Sequence, residues 1–524
     1  MGTTDTDATL GCFNTNSHLS NPGLVTLKKI CCIGAGYVGG PTSAVIACKN
    51  PGIDVTVVDV DETRIRAWKS NILPVAEPDL ISILQLGRDG TDGRRPNLHF
   101  STDITQAIND ADLILIAVNT PPKESGRGAY QALDISQVEA AAEAIAQAST
   151  TDKIVVEKST VPCGTSDSIR KIFAAMGQPG VRFDILSNPE FLAEGSAITN
   201  LLLPDRVLIG SDQDAAGFRA ARVLSSIYES WVSRDHILFM NIQSAELTKL
   251  AANALLAQRI SSINALSAIC EKTNADIEEV AVACGLDLRI GPRMLKASLG
   301  FGGSCLKKDV LTLAHFSDEL DLSHVGSYWR SINDINEFQK SRFTEKIVKK
   351  MNNTLVRRKV AVLGCAFKKG TGDIRESPGI SLIADLLAER AQVSVYDPEV
   401  QHLHLMQALL QIPRLSQLPD NWKQRLDMST SAYAACDGAH AIVIAAEWEE
   451  FSNRRIMPDP GLPSTTSPTE SATRVEWSKI ALGMRHPKLL FDGRNIVDAE
   501  ELAKLGIEVH MIGKTSCRLP KPRA

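Results

Sequence analysis

The chain has 524 residues, 44% of them hydrophobic, and a formal net charge of −5 at pH 7. At roughly 100–200 residues per domain, this length allows about three domains with a sizeable buried core. The negative net charge excludes a general attraction to nucleic-acid phosphates or anionic membrane surfaces, so no nucleic-acid partner is predicted.

The N-terminal segment, residues 1–26, is rich in Thr, Asn and Ser and has no apolar run long enough for a signal peptide. No other stretch approaches the about 18 apolar residues of a membrane span. We therefore expect a disordered tail over residues 1–26, no membrane partner and a cytoplasmic protein. The 11 cysteines are scattered without the Cys/His spacing of a zinc site. Most are expected to be buried, reduced thiols, and no metal site is predicted.

Short β-rich runs alternate with helical patterns over residues 29–160, which indicates a parallel sheet. The predicted strands here are Lys29–Ile33, Val55–Asp59, Ala111–Val118 and Lys153–Lys158. From Gln243 to Ala283 the pattern becomes a long helical stretch, with its first turn signal at 272–274. This stretch predicts a central helical domain.

A second α/β run begins at Arg358, with predicted strands at 360–363, 393–396, 441–446 and 488–491 and a helix at 379–391. Both runs open with a basic residue, a strand and a glycine, and a later strand in each ends in Asp. A diverged duplication explains this, and so does the βαβ pattern shared by unrelated domains.

The predicted fold is α/β, with two Rossmann-like parallel-sheet domains joined by a central helical domain. The expected domains are a first α/β one at 27–241, a helical one at 242–352 and a second α/β one at 353–515. Residues 457–474, rich in Pro, Ser and Thr, are expected to be a disordered insertion, and residues 516–524 a basic C-terminal tail.

The motif Gly34-Ala35-Gly36-Tyr37-Val38-Gly39 follows a predicted strand, opens a helix and precedes Asp59 by 20 to 25 residues. Gly34 permits the tight turn, Gly36 lets the backbone approach a pyrophosphate, and Gly39 allows close packing of helix and strand. Asp59 can accept hydrogen bonds from both ribose hydroxyls and would repel a 2′-phosphate. The motif therefore predicts NAD rather than NADP.

The matching turn of the second run, residues 364–369, keeps only its first glycine and adds two lysines. Its backbone amides, with Lys368 and a converging Arg494, suit a smaller phosphorylated group. The alternative is that the two cations are solvated surface charges.

Residues 296–309 contain three glycines within four residues, followed directly by Cys305, with Asp309 one helical turn further on. A thiol on such a loop would be a good nucleophile if Lys308 or a helix N-terminus stabilised its thiolate. The alternative is a buried structural cysteine.

Several blocks together resemble the UDP-glucose 6-dehydrogenase family, within the wider group of nucleotide-sugar dehydrogenases. They extend from about Leu27 to Gly513 and comprise residues 31–42, 118–121, 157–162 and 187–195 and the Cys305 loop. The resemblance implies that the domain at 27–241 binds NAD, that the one at 242–352 forms a dimer and that the one at 353–515 binds the UDP-sugar. It also implies that C6 of UDP-glucose is oxidised to the acid by two NAD in turn. It also implies a thiohemiacetal and then a thioester on Cys305, which water cleaves.

The resemblance implies further catalytic roles. Lys249 and Asn253, at i and i+4 of the central helix, stabilise oxyanion character at C6. Asp309 orients or activates the water, and Thr160 and Glu190 take part in proton transfer. Without the resemblance, Lys249 reads as an ordinary solvated helix lysine.

The implied binding residues fall into two sets, and several belong to both the cofactor and the substrate. The NAD set is Gly34, Gly36, Tyr37, Val38, Gly39, Asp59, Arg64, Val118, Asn119, Thr120, Ser159, Thr160 and Glu194. The UDP-glucose set is Glu190, Phe191, Leu192, Ala193, Glu194, Lys249, Asn253, Arg289, Lys296, Ser298, Gly300, Phe301, Gly302, Phe367, Lys368 and Arg494. Arg289 matches an arginine delivered across a subunit interface, so at least a homodimer is implied, and a hexamer built as a trimer of dimers is compatible with it.

Two other functions stay open. A related dehydrogenase acting on GDP-mannose or a UDP-N-acetylhexosamine would share the cofactor fold and the cysteine. A catalytically silent subunit that only binds NAD or a UDP-sugar would not need the complete set of six catalytic side chains, and their presence argues against it.

Overall fold

The computed structural model describes residues 27–454 and 474–514. The chain forms two compact units, Met1–Ala252 and Asn253–Ala524. The expected N-terminal tail, nearly all of the 457–474 insertion and the expected basic C-terminal tail lie outside the described residues. The expected boundaries of three domains stay predictions.

The first unit is built on an eight-stranded sheet of order β3-β2-β1-β4-β5-β6-β7-β8. Its strands are β1 (Lys29–Ile33), β2 (Asp54–Val58), β3 (Leu98–Ser101), β4 (Leu113–Ile116), β5 (Lys153–Glu157), β6 (Phe183–Ser187), β7 (Val207–Ser211) and β8 (Ile237–Asn241). All neighbouring strands pair in parallel except β6 and β7, which are antiparallel. The predicted parallel sheet is therefore confirmed for the part that carries the glycine motif.

Nine helices belong to the first unit in the described part of the chain, and the boundary between the units falls within the last of them. They are α1 (Gly39–Lys49), α2 (Glu62–Trp68), α3 (Leu80–Arg88), α4 (Ile104–Asp110), α5 (Ser136–Ala148), α6 (Thr165–Met176), α7 (Ala197–Leu202), α8 (Ala215–Tyr228) and α9 (Ile242–Thr273). A short 3₁₀ turn, Arg234–His236, precedes β8. The long predicted central helix is confirmed by α9, which ends at the predicted turn signal, where Asn274 has a φ of +61°.

The second unit begins with three further helices and continues into a six-stranded parallel sheet of order β11-β10-β9-β12-β13-β14. Its helices are α10 (Ile277–Gly285), α11 (Leu306–Glu319), α12 (Ser323–Lys350), α13 (Pro378–Ala388), α14 (His402–Leu410), α15 (Pro413–Ser416), α16 (Ala432–Cys436), α17 (Trp477–Gly483) and α18 (Ala499–Lys504). Its strands are β9 (Lys359–Leu363), β10 (Gln392–Tyr396), β11 (Leu426–Met428), β12 (Ala441–Ile444), β13 (Leu489–Asp492) and β14 (Glu508–Met511). The described residues of this unit also form two 3₁₀ turns, Asp420–Arg425 and Glu449–Phe451.

Both sheets are covered on both faces, and this explains the unbroken apolar strands. In β1, Ile30 and Cys32 pack into one core cluster while Cys31 and Ile33 pack into the other, as the two-residue alternation of a strand requires. In β9 the alternate residues 360/362 and 361/363 divide between two clusters in the same way. The predicted burial of the thiols in apolar runs is confirmed for Cys31 and Cys32.

The first six strands of each sheet, taken in chain order, are arranged as 3-2-1-4-5-6. This is the strand order of a dinucleotide-binding Rossmann fold. The prediction of two Rossmann-like sheets is therefore confirmed. The strand after Asp112 is shorter than the predicted Ala111–Val118, because the chain leaves the sheet after Ile116 to form the loop that carries Val118 to Thr120.

Candidate functional site

The glycine motif forms the turn between β1 and α1. Gly34 has a φ of +106°, and a Cβ there would lie 2.4 Å from the carbonyl oxygen of Ala117. A Cβ on Gly39 would lie 1.9 Å from the carbonyl oxygen of Gly34, so helix and turn approach too closely for a side chain. A Cβ on Gly36 would meet only the Asn119 side chain, at 3.9 Å. Two glycines are thus needed for packing, while the third faces space that a pyrophosphate can fill.

The carboxylate of Asp59 lies directly after β2 and supports this turn. It accepts hydrogen bonds from the amide of Ala35 (2.8 Å), the amide of Asp61 (2.9 Å) and the guanidinium of Arg64 (2.9 Å). Burial opposes its ionisation, but the hydrogen bonds from Asp61, Ala35 and Arg64 outweigh burial and lower the pKa of Asp59. Asp59 is therefore an anion next to the glycine turn, and Arg64 reaches the same corner.

The second sheet repeats this arrangement without the second and third glycines. Asp397, directly after β10, accepts hydrogen bonds from the amides of Cys365 (2.7 Å) and Ala366 (3.0 Å). Gly364 has a φ of +84°, and a Cβ there would lie 2.5 Å from the Ala446 side chain. The equivalence of the two turns that the sequence indicated is therefore also present in their hydrogen bonds.

The turns after β4 and β5 are joined side by side. The Ser159 hydroxyl donates to the carbonyl of Val118 (2.8 Å), and the Thr120 hydroxyl donates to the carbonyl of Thr160 (2.7 Å). Because parallel strands end at the same edge of a sheet, these turns and the glycine turn share the carboxyl edge where Rossmann folds bind dinucleotides. The structure thus brings together the predicted NAD residues of three neighbouring strands.

The segment after β6 carries Glu190 to Gly195. The Lys249 amine lies 3.3 Å from Glu190 Oε1, and the two side chains are only 5% and 11% exposed. The other oxygen, Glu190 Oε2, accepts from the amide of Leu192 at 2.5 Å. The interpretation of Lys249 as a solvated lysine is therefore wrong, because Glu190 neutralises it in a buried position. No hydrogen bond joins Glu190 to Thr160 within the described residues.

Two cations lie close to the ring of Phe191. The Arg206 guanidinium lies 4.0 Å from its centroid and the Lys249 amine lies 5.2 Å from it. Cations over an aromatic face are attracted by its quadrupole. Arg206, which the sequence analysis did not single out, therefore holds the segment that carries Glu190.

In the second unit, the loop before Cys305 is fastened by amide side chains of α9 and α12. Asn336 Oδ1 accepts from the amide of Phe301 (2.8 Å) and Asn336 Nδ2 donates to its carbonyl (3.2 Å). Asn264 accepts from the amide of Ser298 (2.9 Å) and Gln339 donates to the carbonyl of Ser298 (2.6 Å). The backbone of the loop is therefore fastened at Ser298 and Phe301.

The glycines of this loop allow the close approach to its supports. Gly300 has a φ of +127°, and a Cβ there would lie 2.6 Å from Asn336 Oδ1, while one on Gly302 would lie 2.7 Å from the carbonyl oxygen of Glu376. The Phe301 side chain is only 5% exposed and packs in an apolar cluster with residues of α9, α11 and α12, whereas Lys296 is exposed. Phe301 thus anchors the loop by its ring.

Cys305 is the N-cap of α11 and is exposed, in contrast to the other cysteines in the described part of the chain. The alternative of a buried structural cysteine is therefore wrong. Asp309, one turn along α11, is 1% exposed. Its Oδ2 accepts from Asn253 Nδ2 at 2.6 Å, and the Lys308 amine lies 3.1 Å from its Oδ1. An amide and an ammonium thus contact the two carboxylate oxygens of Asp309.

The predicted cations of the second sheet have different settings. Arg494 is 8% exposed, donates to the carbonyls of Ala445 (2.8 Å) and Phe367 (2.9 Å), and lies 3.1 Å from Glu447. The interpretation of Arg494 as a solvated surface charge is therefore wrong. Lys368 follows Phe367 directly, with its amine 5.5 Å from that ring, and its convergence with Arg494 on one ligand stays a prediction.

Arg289 has a different surrounding from the other predicted substrate residues. Its side chain is 89% exposed and pairs with Asp287, two residues away in the same loop. It is thus directed outward rather than into the second sheet.

Three of the missed residues left a weak signal or none. Arg206 stands in Pro204-Asp205-Arg206 directly before β7, a position that has no property distinguishing it from other loop cations. Asn336 and Gln339 lie three residues apart on α12, which is the spacing of one helix face, but only the fold reveals that this face meets a loop.

Over residues 27–454 and 474–514, no group of three or more potential metal ligands comes together, and no helix has the length and apolarity to cross a membrane.

A Rossmann sheet with a glycine turn followed by an acidic strand end defines a dinucleotide-binding protein, and this chain adds a second Rossmann-like sheet with a basic turn. Family models match three consecutive parts of the chain: the NAD binding domain (residues 28–232), the central domain (243–338) and the UDP binding domain (361–462) of the UDP-glucose/GDP-mannose dehydrogenase family. The chain belongs to this family, and its dinucleotide is NAD.

Curated relatives match nearly the whole chain. UDP-glucose 6-dehydrogenase 1 of Oryza sativa subsp. japonica is 46% identical over 93% of this chain and 97% of the relative. UDP-glucose 6-dehydrogenase of Mus musculus is 47% identical over 95% of this chain and 96% of the relative. Among solved structures, a UDP-glucose dehydrogenase from Pyrobaculum islandicum superposes with a TM-score of 0.74 at 29% identity, covering 94% of this chain and 99% of that chain.

Proposed function

We propose that this protein catalyses the NAD-dependent, four-electron oxidation of UDP-glucose at C6 to UDP-glucuronate. The observation that carries the proposal is the exposed thiol of Cys305 at the start of α11, with the buried carboxylate of Asp309 one turn away. A dehydrogenase that stops at the aldehyde needs no nucleophile, whereas oxidation to the acid is helped by a covalent intermediate. The near-complete match to relatives named UDP-glucose 6-dehydrogenase supports the substrate.

The thiol is proposed to act after the first oxidation. The Cys305 sulfur adds to the C6 aldehyde, and the oxygen becomes the hydroxyl of a thiohemiacetal. Loss of a hydride from C6 and a proton from that hydroxyl gives a thioester, and water then cleaves the C–S bond to release the carboxylate and the thiol. NAD would be held by the glycine turn, Asp59 and the turns after β4 and β5, and it would be the hydride acceptor for both oxidations.

The other side chains are proposed to manage charge and protons. Lys249 and Asn253 stand one turn apart on α9 and donate to the oxygen on C6 as it gains negative charge. Asp309 accepts a proton from the water that attacks the thioester, and its hydrogen bond from Asn253 orients the carboxylate for this role. Glu190 and Thr160 are proposed to pass on the protons released by the sugar, which the pairing of Glu190 with Lys249 supports.

The UDP group is proposed to bind at the turn after β9. Lys368 supplies charge for the diphosphate, and Arg494 fixes the turn through the carbonyl of Phe367. Ser298 and the glycines of the loop before Cys305 are proposed to contact the nucleotide and sugar through their backbone.

We also propose that the protein is at least a homodimer, through large apolar side chains exposed on α9 and after α10. Leu255, Ile269 and Leu288 are 53%, 57% and 100% exposed. Arg289, which is exposed and follows Leu288, would then reach the substrate of the partner subunit.

Light scattering should give a multiple of the 56.7 kDa chain mass. The double variant Leu255→Glu with Ile269→Glu should give the mass of the monomer. Assembly into a hexamer and a cytoplasmic location stay predictions.

The decisive measurement is the amount of NADH formed per UDP-glucose consumed by the purified full-length protein. We expect two NADH for each sugar, with UDP-glucuronate as the product. One NADH per sugar with accumulation of aldehyde would refute the covalent scheme. Turnover of GDP-mannose or a UDP-N-acetylhexosamine without turnover of UDP-glucose would show that the protein is one of the related dehydrogenases. Binding of NAD or a UDP-sugar without any turnover would identify a silent subunit.

A further inference from the structure

Glu77 belongs to none of the sets derived from the sequence, yet it joins two of them. It is half-buried and lies in the mostly exposed segment between α2 and α3. Its Oε1 accepts hydrogen bonds from the hydroxyl of Tyr37, inside the glycine turn, and from the amide of Gly195 at 2.6 Å. Its Oε2 accepts from the amide of Ala197 at 2.9 Å. One carboxylate therefore holds the turn before α1 and the end of the segment that starts at Glu190.

The bonds on the Gly195 side replace a missing local cap. Ser196 is the N-cap of α7, but its side chain makes no capping hydrogen bond, so the first amides there need another acceptor. Glu77, 118 and 120 residues away in sequence, supplies it. Since a carboxylate bound to several amides has a fixed orientation, displacement of α7 and its preceding segment would displace Glu77.

The bond on the other side links Glu77 to the cofactor turn. Burial and then the hydrogen bond to Glu77 raise the pKa of Tyr37, so its hydroxyl is a donor at any physiological pH. The carboxylates of Glu194 and Glu190 act on the Tyr37 hydroxyl in the same direction. Tyr37 thus faces the segment proposed to bind the sugar while its backbone belongs to the turn that binds NAD.

We propose that Glu77 is a positioning residue that couples the two ligands, because it fastens the NAD turn, through Tyr37, to the sugar-binding segment that ends at Gly195. Binding of either ligand orders one side of this link and thereby favours the arrangement that the other ligand needs. The inference rests on the proposed function for the identity of both ligands. By thermodynamic reciprocity, bound NADH should raise the affinity for UDP-glucose by the same factor as bound UDP-glucose raises the affinity for NADH.

The test is calorimetric titration of UDP-glucose into the full-length protein with and without saturating NADH, a pair that cannot turn over because NADH accepts no hydride. In the wild type we expect bound NADH to raise the affinity for UDP-glucose by at least about fivefold, which is the lower end of common coupling strengths. Glu77→Gln replaces one of the two acceptor oxygens with an amide nitrogen, which cannot accept a hydrogen bond, and it also removes the negative charge. In this variant the NADH-dependent gain in affinity for UDP-glucose should fall below twofold. Tyr37→Phe, titrated at an NADH concentration that saturates this variant, should lose the coupling too.

Asp79→Asn is the matched control, since it removes the same charge two residues along the same segment, and Asn tolerates the positive φ of 61° found there. This variant should keep the wild-type coupling. Equal affinities with and without NADH in the wild type, or full coupling in Tyr37→Phe, would overturn the inference. If Glu77→Gln does not fold by circular dichroism, Tyr37→Phe alone decides. Failure of the wild type to bind either ligand would instead refute the proposed function.

Discussion

Replacing Asn253 by alanine tests whether the buried carboxylate of Asp309 depends on its neighbour on α9. The change removes the 2.6 Å hydrogen bond from Asn253 Nδ2 to Asp309 Oδ2. Asp309 is 1% exposed, so water cannot easily replace the lost donor. A hydrogen bond to a charged group contributes about 1.5–3 kcal/mol, which corresponds to a loss of about 10- to 150-fold in kcat/KM.

The assay is initial-rate NADH formation with UDP-glucose and NAD varied separately. Gln258→Ala is the matched control, because it removes an amide from the same helix at a residue to which no catalytic role is assigned, and it should stay within twofold of wild type. The double variant with Asp309→Asn should lose little more than Asp309→Asn alone, since the two side chains act as one unit. A loss below threefold in Asn253→Ala, or full additivity in the double variant, would refute the reasoning.

Four further outcomes are expected. Cys305→Ser should lower release of UDP-glucuronate by at least about a hundredfold, because the thiolate is the far better nucleophile; wild-type release measured by chromatography would contradict the thioester. Gly34→Ala should raise the KM for NAD, since strain at a positive φ costs about 1–3 kcal/mol, and an unchanged KM would show that the turn tolerates a Cβ. Arg206→Gln should raise the KM for UDP-glucose about 2- to 30-fold by removing a cation from Phe191 worth about 0.5–2 kcal/mol, with the KM for NAD as its control. Because folding lowers the pKa of Asp59, its carboxylate stabilises the fold above the unfolded pKa of about 3.9, and this stabilisation is lost as the pH falls through the folded pKa. Asp59→Asn should therefore flatten the fall in Tm below about pH 5. A fall as steep as that of the wild type would contradict this.

The positions of the first Rossmann elements could be predicted because their signals are local. The β1–α1–β2 unit was predicted with Lys29–Ile33 correct and with β2 one residue late, since strand alternation, glycine spacing and a terminal Asp all lie within about 30 residues. The antiparallel pairing of β6 with β7 was not predicted. Strand direction depends on how the chain returns to the sheet over residues 188–206, and no local pattern encodes that path.

Residues of the candidate site divide in the same way. The spacing of Cys305 and Asp309 predicts that they lie one turn apart at the start of a helix, and α11 confirms it. The state of Lys249 could not be predicted from its helix, because its burial depends on Glu190, 59 residues earlier. The sequence likewise contains no indication of the partner of Asn253, since an amide on α9 meets a carboxylate on α11 only after the helices pack.

By itself the sequence determined the class of fold, the NAD turn and the position of the Cys305 thiol at a helix start, because glycine spacing and helix and strand periodicity act over a few residues. Only the tertiary structure decided which charges are buried and what they touch. Glu77 is the clearest case: a carboxylate in an ordinary loop accepts hydrogen bonds from Tyr37, 40 residues before it, and from Gly195, 118 residues after it. Hydrogen bonding and burial depend on neighbours in space, and those neighbours exist only once the sheet has brought the ends of its strands together.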